Sequence, residues 1–235
     1  MPATTAQHRD LHYQALSYEW GDPDVLRPLV GVLLNGHEVP ATPNLRLALG
    51  HILNDPWYYW IDALCINQRD FDERAQQVRL MTRIYHDADD IDVWLGIEKG
   101  NSSLGIELIN HFELAVEDVK GIENGSKTQE AVSKLWIPAY ELHWDGFCQI
   151  LSRSYWRRLW VIQELVANPT RRRIWLLCGL RRARFYWVGY IVKGVICLAD
   201  LIERTPVAPL GNYDSWPSLT RELGEMSMTL DALTF

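Results

Sequence analysis

The sequence predicts an α/β protein built on a single, mainly parallel sheet flanked by helices. Three observations predict it. "YYWIDALCI", residues 58–66, is a strand-like apolar run, and "IDVWLG", residues 91–96, is a second one. Between them Ala75, Val78, Met81, Tyr85 and Ala88 form the apolar stripe of an amphipathic helix of about four turns. A strand, a helix and a strand of these lengths require a parallel crossover. "RRIWLLCG", residues 172–179, supplies a further apolar strand.

The other elements follow in order. "YQALSYEWG", Tyr13 to Gly21, reads as the first strand, ending in a turn that Gly21 permits. "LVGVLLNGHEVPAT" places Asn35-Gly36 between two apolar runs, which is a hairpin signal. In "TPNLRLALGHIL", Thr42 can cap a helix, Pro43 fits its first turn, and Leu45, Leu49 and Ile52 share a face. Asp70 followed by Glu73 suits a capping box at the start of the crossover helix. Residues 97–140 are rich in Gly and polar residues around a short helical pattern, and read as a lid-like excursion. "WDGFCQILSRSYWRRLWVIQELVAN" reads as helical, with Pro169 closing it. The expected organisation is one α/β domain over 11–180, with the excursion at 97–140. Residues 181–235 would be a C-terminal helical extension packed on the domain or continuing it.

Composition excludes several classes. The 235 residues are 48% hydrophobic and 23% charged, which is ordinary for a globular chain. A net charge of −7 gives no general reason to expect nucleic acid or an anionic membrane. The charge is uneven, with nine Arg and one acid, Glu164, between Arg153 and Arg184. The stretch "FYWVGYIVKGVICLADLI" is interrupted by Lys193 and Asp200, so it reads as a buried or amphipathic helix and not a membrane span. Cys65, Cys148, Cys178 and Cys197 have neither CxxC nor metal-ligand spacing and are expected as free thiols. With no apolar signal core in "MPATTAQHRD", a cytoplasmic location is expected. There is no HExxH, GxGxxG or P-loop, and no metal or resident cofactor is expected. Eleven Trp imply buried indoles that need acceptors.

"YQALSYEWGD", "WIDALCINQRDFDERAQQVRLMTRIYHDADDIDVWLG" and "YWRRLWVIQEL", in this order, resemble the three blocks of the fungal heterokaryon incompatibility (HET) domain. The resemblance implies a fungal protein of self/non-self recognition that promotes regulated cell death. The same blocks resemble, more distantly, the TIR domain, whose order of elements agrees. There the Glu matching Glu164 is catalytic in members that cleave NAD, and the Trp matching Trp160 belongs to the same pattern. Val161 stands where that pattern has Cys. The implied substrate is NAD or a related nucleotide.

The residues can be weighed on their own chemistry. On one continuous helix Arg157, Trp160, Val161 and Glu164 would form one stripe, with Tyr155, Leu159, Ile162 and Val166 on a separate apolar face. Glu164 is then either a carboxylate bordering a cleft, able to stabilise an oxocarbenium-like state, or an exposed acid paired with Arg157 or Arg158. An indole such as Trp160 can stack on a ring, and Arg157 can hold a phosphate. In an open parallel sheet ligands gather beyond the strands' C-terminal ends. This places Ser17, Glu19, Trp20 and Asp62 among the ligand-binding candidates. Asn67 and Asp70 are expected to knit the following corner together, a role open to Asp62 as well. Two classes of function remain: a nucleotide hydrolase, and a death-signalling module that acts by self-association or through a partner protein.

Overall fold

A computed structural model describes residues 12–21, 30–34, 36–52, 56–117, 125–158, 160–168 and 173–204. Strand β1 (Tyr13–Tyr18) is followed by an antiparallel hairpin of β2 (Val30–Leu34) and β3 (His37–Ala41), which forms a separate two-stranded sheet. Gly36 turns this hairpin at φ 82°, a conformation that favours glycine. Asn35 of the expected turn lies outside the described residues. Helix α1 (Pro43–Ile52) starts as predicted, with the Thr42 hydroxyl accepting from the Leu45 N–H at 3.2 Å.

The second parallel strand is shorter than expected. β4 spans only Tyr58–Trp60, and Asp62–Cys65 coil into a helical turn, α2. Asp62 therefore does not interrupt a strand. It begins the turn that follows one, and its Oδ1 accepts from the Ala63 N–H at 2.7 Å. Helix α3 (Phe71–Asp87) is capped by Asp70, which accepts from the N–H groups of Asp72 and Glu73, both at 3.0 Å. Glu73 does not complete a reciprocal box. It accepts instead from the Asn67 N–H at 3.0 Å, while the Asn67 carbonyl receives the Asp70 N–H at 3.1 Å. The polar corner is thus a self-satisfied loop, which is why it can sit between core elements.

β5 (Asp90–Trp94) completes the crossover. Helices α4 (Ser102–Glu117), α5 (Gly125–Leu135), α6 (Glu141–Leu151) and α7 (Trp160–Ala167) follow, then β6 (Ile174–Cys178), β7 (Arg181–Arg184) and α8 (Tyr186–Arg204). The sheet order is β4-β1-β5-β6-β7, with the first four strands parallel and β7 antiparallel. The α/β class with a mainly parallel sheet is as predicted. Side chains alternate across β1. Ala15 and Ser17 face the helical layer that includes α3, α4 and α7, whereas Leu16 and Tyr18 face α1 and the hairpin.

Three further points differ from or add to the sequence expectations. Residues 97–140, read as a lid-like excursion, carry helix α4, whose Ile106, Leu108, Ile109 and Phe112 are fully buried in the main core. Each such side chain stabilises the fold by roughly 1.5–3 kcal/mol. The stretch around "YWRRLWVIQEL" is not one helix. Ser154–Arg157 form a 3₁₀ turn, Arg158 is extended (φ −73°, ψ 128°), and α7 starts afresh at Trp160. Finally, "RRAR" forms the edge strand β7, with Arg182 and Arg184 laid over Trp175 at 3.8 and 4.7 Å from its ring centre.

Pro169, Leu159 and residues 205–235 lie outside the described residues. Among those described, no helix is long and apolar enough to cross a membrane. All four cysteines are free. Two of the buried indoles find acceptors as expected, Trp94 donating to Asn44 Oδ1 at 3.0 Å and Trp156 to the Ile150 carbonyl at 2.9 Å, whereas the buried Trp187 Nε1 has none among the described residues.

The cap of α3 can be tested by itself. Asp70→Ala removes both cap bonds and is expected to destabilise the fold by about 1 kcal/mol, with Asp70→Ser recovering most of it. Urea denaturation of the three proteins measures this, and an unchanged midpoint in Asp70→Ala would refute the cap's contribution.

Candidate functional site

β4 pairs with the first half of β1, Trp60 beside Ala15, and the segments that follow both strands line one cleft of about 380 Å³. β1 leads to Glu19, Trp20 and Gly21, and β4 to Asp62, Ile66 and Gln68. Helix α3 contributes Arg74, Val78 and Met81, which stand at i, i+4 and i+7 on one stripe. Arg158, Trp160 and Glu164 close the opposite wall.

Glu164 is the deepest charged group. Its residue is 3% exposed, so it is not a surface acid. On α7 Val161, Glu164, Leu165 and Asn168 are buried, while Val166, expected on an apolar face, and Trp160 are exposed. Glu164 Oε2 accepts from the Ser17 hydroxyl, and Tyr155 Oη lies 2.5 Å from the same Ser17 oxygen. A hydroxyl has one proton, so with Ser17 donating to Glu164, Tyr155 donates to Ser17. Arg158 Nη2 donates to Glu164 Oε1 at 3.3 Å.

Burial pushes the Glu164 carboxyl above the usual carboxylate range, and the Arg158 charge and the Ser17 bond only partly offset it. Burial raises Asp62 too, against the bonds it accepts from Trp20 Nε1 at 2.8 Å and from Ala63. The Tyr155 hydroxyl is raised by complete burial and then by the nearby Glu164 charge. Two carboxyls of raised pKa facing one cleft form an arrangement suited to chemistry or ligand capture.

Most of the predicted residues converge. Glu19, Trp20, Asp62, Trp160 and Glu164 line the cleft, and Ser17 stands behind Glu164 as its donor. Trp20 and Trp160 are 39% and 45% exposed, leaving indole faces open to a ligand. Arg157 is the exception. It sits in the 3₁₀ turn, exposed and away from the cleft, and Arg158 takes the place expected of it. Tyr155, Gln68 and Arg74 were not expected in the cleft wall, and Arg158 was named only as a candidate ion partner of Glu164, a pairing that is found. Arg74 carried a further signal, since it shares the spacing of Val78 and Met81. Among the described residues no cluster of His, Cys, Asp or Glu fits a metal ion.

An open, mainly parallel α/β sheet with a carboxylate, indole and guanidinium cleft at its strand ends defines the class of protein. A family model described as "Heterokaryon incompatibility protein (HET)" matches residues 13–164, well over half of the sequence. The chain belongs to the heterokaryon incompatibility family. It is similar to "Heterokaryon incompatibility protein 6, OR allele" of Neurospora crassa, at 31% identity over 185 residues. That match covers 65% of this chain and 27% of the relative, so the chain spans about a quarter of that protein's length. No solved structure matches it. The matched region ends at Glu164 and includes every predicted site residue.

The raised carboxyl has a consequence for stability. A folded-state pKa above the unfolded value, about 4.3 for glutamate, means that the folded chain holds the proton more tightly. The associated stability is present below the unfolded pKa and is lost as pH rises through the folded one. Glu164→Gln cannot titrate. The stability of the natural chain minus that of Glu164→Gln, measured by denaturation at a series of pH values, is therefore expected to fall as pH rises from about 4. A difference that grows with pH would contradict the placement.

Proposed function

We propose that the chain acts in fungal self/non-self recognition, promoting regulated cell death by cleaving the nicotinamide–ribose bond of NAD or a related nucleotide. One observation carries the chemical part of this reading. A carboxylate held by one hydroxyl, itself backed by a second, and by a guanidinium lies on the wall of a cleft flanked by two open indoles. Heterokaryon incompatibility, the role named in both family and relative, supports the biological part.

The chemistry follows from where charge develops. When the N-glycosidic bond breaks, neutral nicotinamide leaves with the bonding electron pair and the ribose carbon becomes cationic. Glu164 stabilises that cation and binds the ribose hydroxyls. Water then adds to the carbon and loses a proton, giving ADP-ribose, nicotinamide and H⁺. Trp20 and Trp160 stack on the aromatic rings. Ser17 and Arg158 act as positioning residues by fixing the carboxylate's direction.

A second reading, a non-catalytic module acting by self-association, is favoured by a different observation. Trp57, just before β4, Tyr58, which begins it, and Phe71, the first residue of α3, are exposed aromatic side chains, Phe71 to 72%. Such residues suit a contact between copies of the chain.

The test is nicotinamide release from NAD by the purified chain. Glu164→Gln is expected to lower turnover by about a hundredfold or more, with far-UV circular dichroism confirming that the variant is folded. A natural chain that releases no nicotinamide at any concentration, while sedimenting as oligomers, would overturn the hydrolase reading in favour of the second.

A further inference from the structure

The carboxylates of the cleft are well supplied with donors, while its guanidiniums are short of acceptors. Glu164 accepts from Ser17 and Arg158, Asp62 from the Trp20 indole at 2.8 Å and the Ala63 N–H at 2.7 Å, and Glu19 from Ser154 Oγ at 2.5 Å. Arg158 is different. Its bond to Glu164 spans 3.3 Å, long for a charge-assisted contact. Its Nη1 is buried and has no hydrogen-bond partner among the described residues. Arg74 lines the same cleft, exposed, with its guanidinium 4.9 Å from the centre of the Phe71 ring and no ion pair among the described residues.

Unmet hydrogen-bonding capacity indicates the kind of ligand that fits. A buried N–H left without an acceptor carries the cost of its desolvation. A cleft whose two guanidiniums both hold spare donors is complementary to a group rich in acceptors and negative charge. We propose that Arg158 and Arg74 form an anion subsite that takes the phosphate of a nucleotide, so that the cleft accepts phosphorylated nucleotides and not nucleosides. This deepens the nucleotide reading above and rests on it. A phosphate supplies the acceptor that Arg158 Nη1 lacks, while Nη2 keeps its bond to Glu164 Oε1. The carboxylate thus stays held in place as the phosphate binds.

Calorimetric titration of the full chain with adenosine, AMP and ADP-ribose tests this. None of the three contains a nicotinamide bond, so binding is read independently of cleavage. AMP and ADP-ribose are expected to bind about tenfold or more tighter than adenosine, with a gap that narrows as salt screens the contact. Arg74→Gln is expected to leave the melting temperature unchanged and to bring AMP down to the affinity of adenosine. Arg158→Lys keeps the charge and loses the fork, and should weaken both phosphorylated ligands. If it fails to fold, Arg74→Gln decides alone. Phosphate-dependent binding in a chain that releases no nicotinamide would support the subsite while removing the Glu164 chemistry. Equal affinity for adenosine and AMP, AMP binding unaffected by Arg74→Gln, or no binding of any of the three at millimolar concentration would overturn the proposal.

Discussion

A carboxylate cannot be buried alone. Moving it out of water costs several kcal/mol unless hydrogen bonds and an opposite charge replace its hydration. Glu164 meets that constraint with two direct partners, Ser17 at the end of β1 and Arg158 in the extended joint before α7, and Tyr155 of the 3₁₀ turn holds the Ser17 hydroxyl in turn. The sheet, the turn and the helix are thereby tied to one another at a single point. That point lies on the cleft wall, so the partners that keep Glu164 folded in also set its direction toward any ligand.

The break in the chain at Arg158 makes this possible. On an uninterrupted helix residues 158 and 164 would be six positions apart, about 120° away from each other around the axis, and could not meet. Arg157 and Glu164 would share a stripe but stand nearly two turns, roughly 10 Å, apart along it. The extended backbone of Arg158 (φ −73°, ψ 128°) folds the guanidinium back over the start of α7. Its charge then offsets part of the burial cost, and the remainder keeps the Glu164 carboxyl raised.

Much of the frame was legible because it rests on local chemistry. The Asn-Gly hairpin, the Thr42 and Asp70 caps, and the apolar runs of β1, β5 and β6 each declare themselves within a few residues. Part of the cleft followed from one topological rule, that ligands gather beyond parallel strand ends, which brought Glu19, Trp20 and Asp62 together, while Glu164 was pointed to by the family resemblance. What stayed hidden depends on distant partners. "RRAR" has no apolar alternation, and it becomes a strand because its arginines lie flat on Trp175 and pair with Glu107 and Glu113. Helix α4 looked peripheral, since its burial comes from packing on α6, α5 and α8. The buried face of α7 was misjudged for the same reason. A glutamate reads as solvated until the Ser, Tyr and Arg that receive it are known.

The most direct measurement is the titration of the Glu164 side-chain carboxyl itself, followed by carbon-13 NMR of glutamate-labelled chain and assigned by comparison with Glu164→Gln. A carboxylate that is buried and also faces the cleft should titrate above the ordinary glutamate midpoint of about 4.3, and its midpoint should move when ADP-ribose is added. A midpoint at or below the ordinary value, unchanged by the nucleotide, would contradict both its burial and its place in the site.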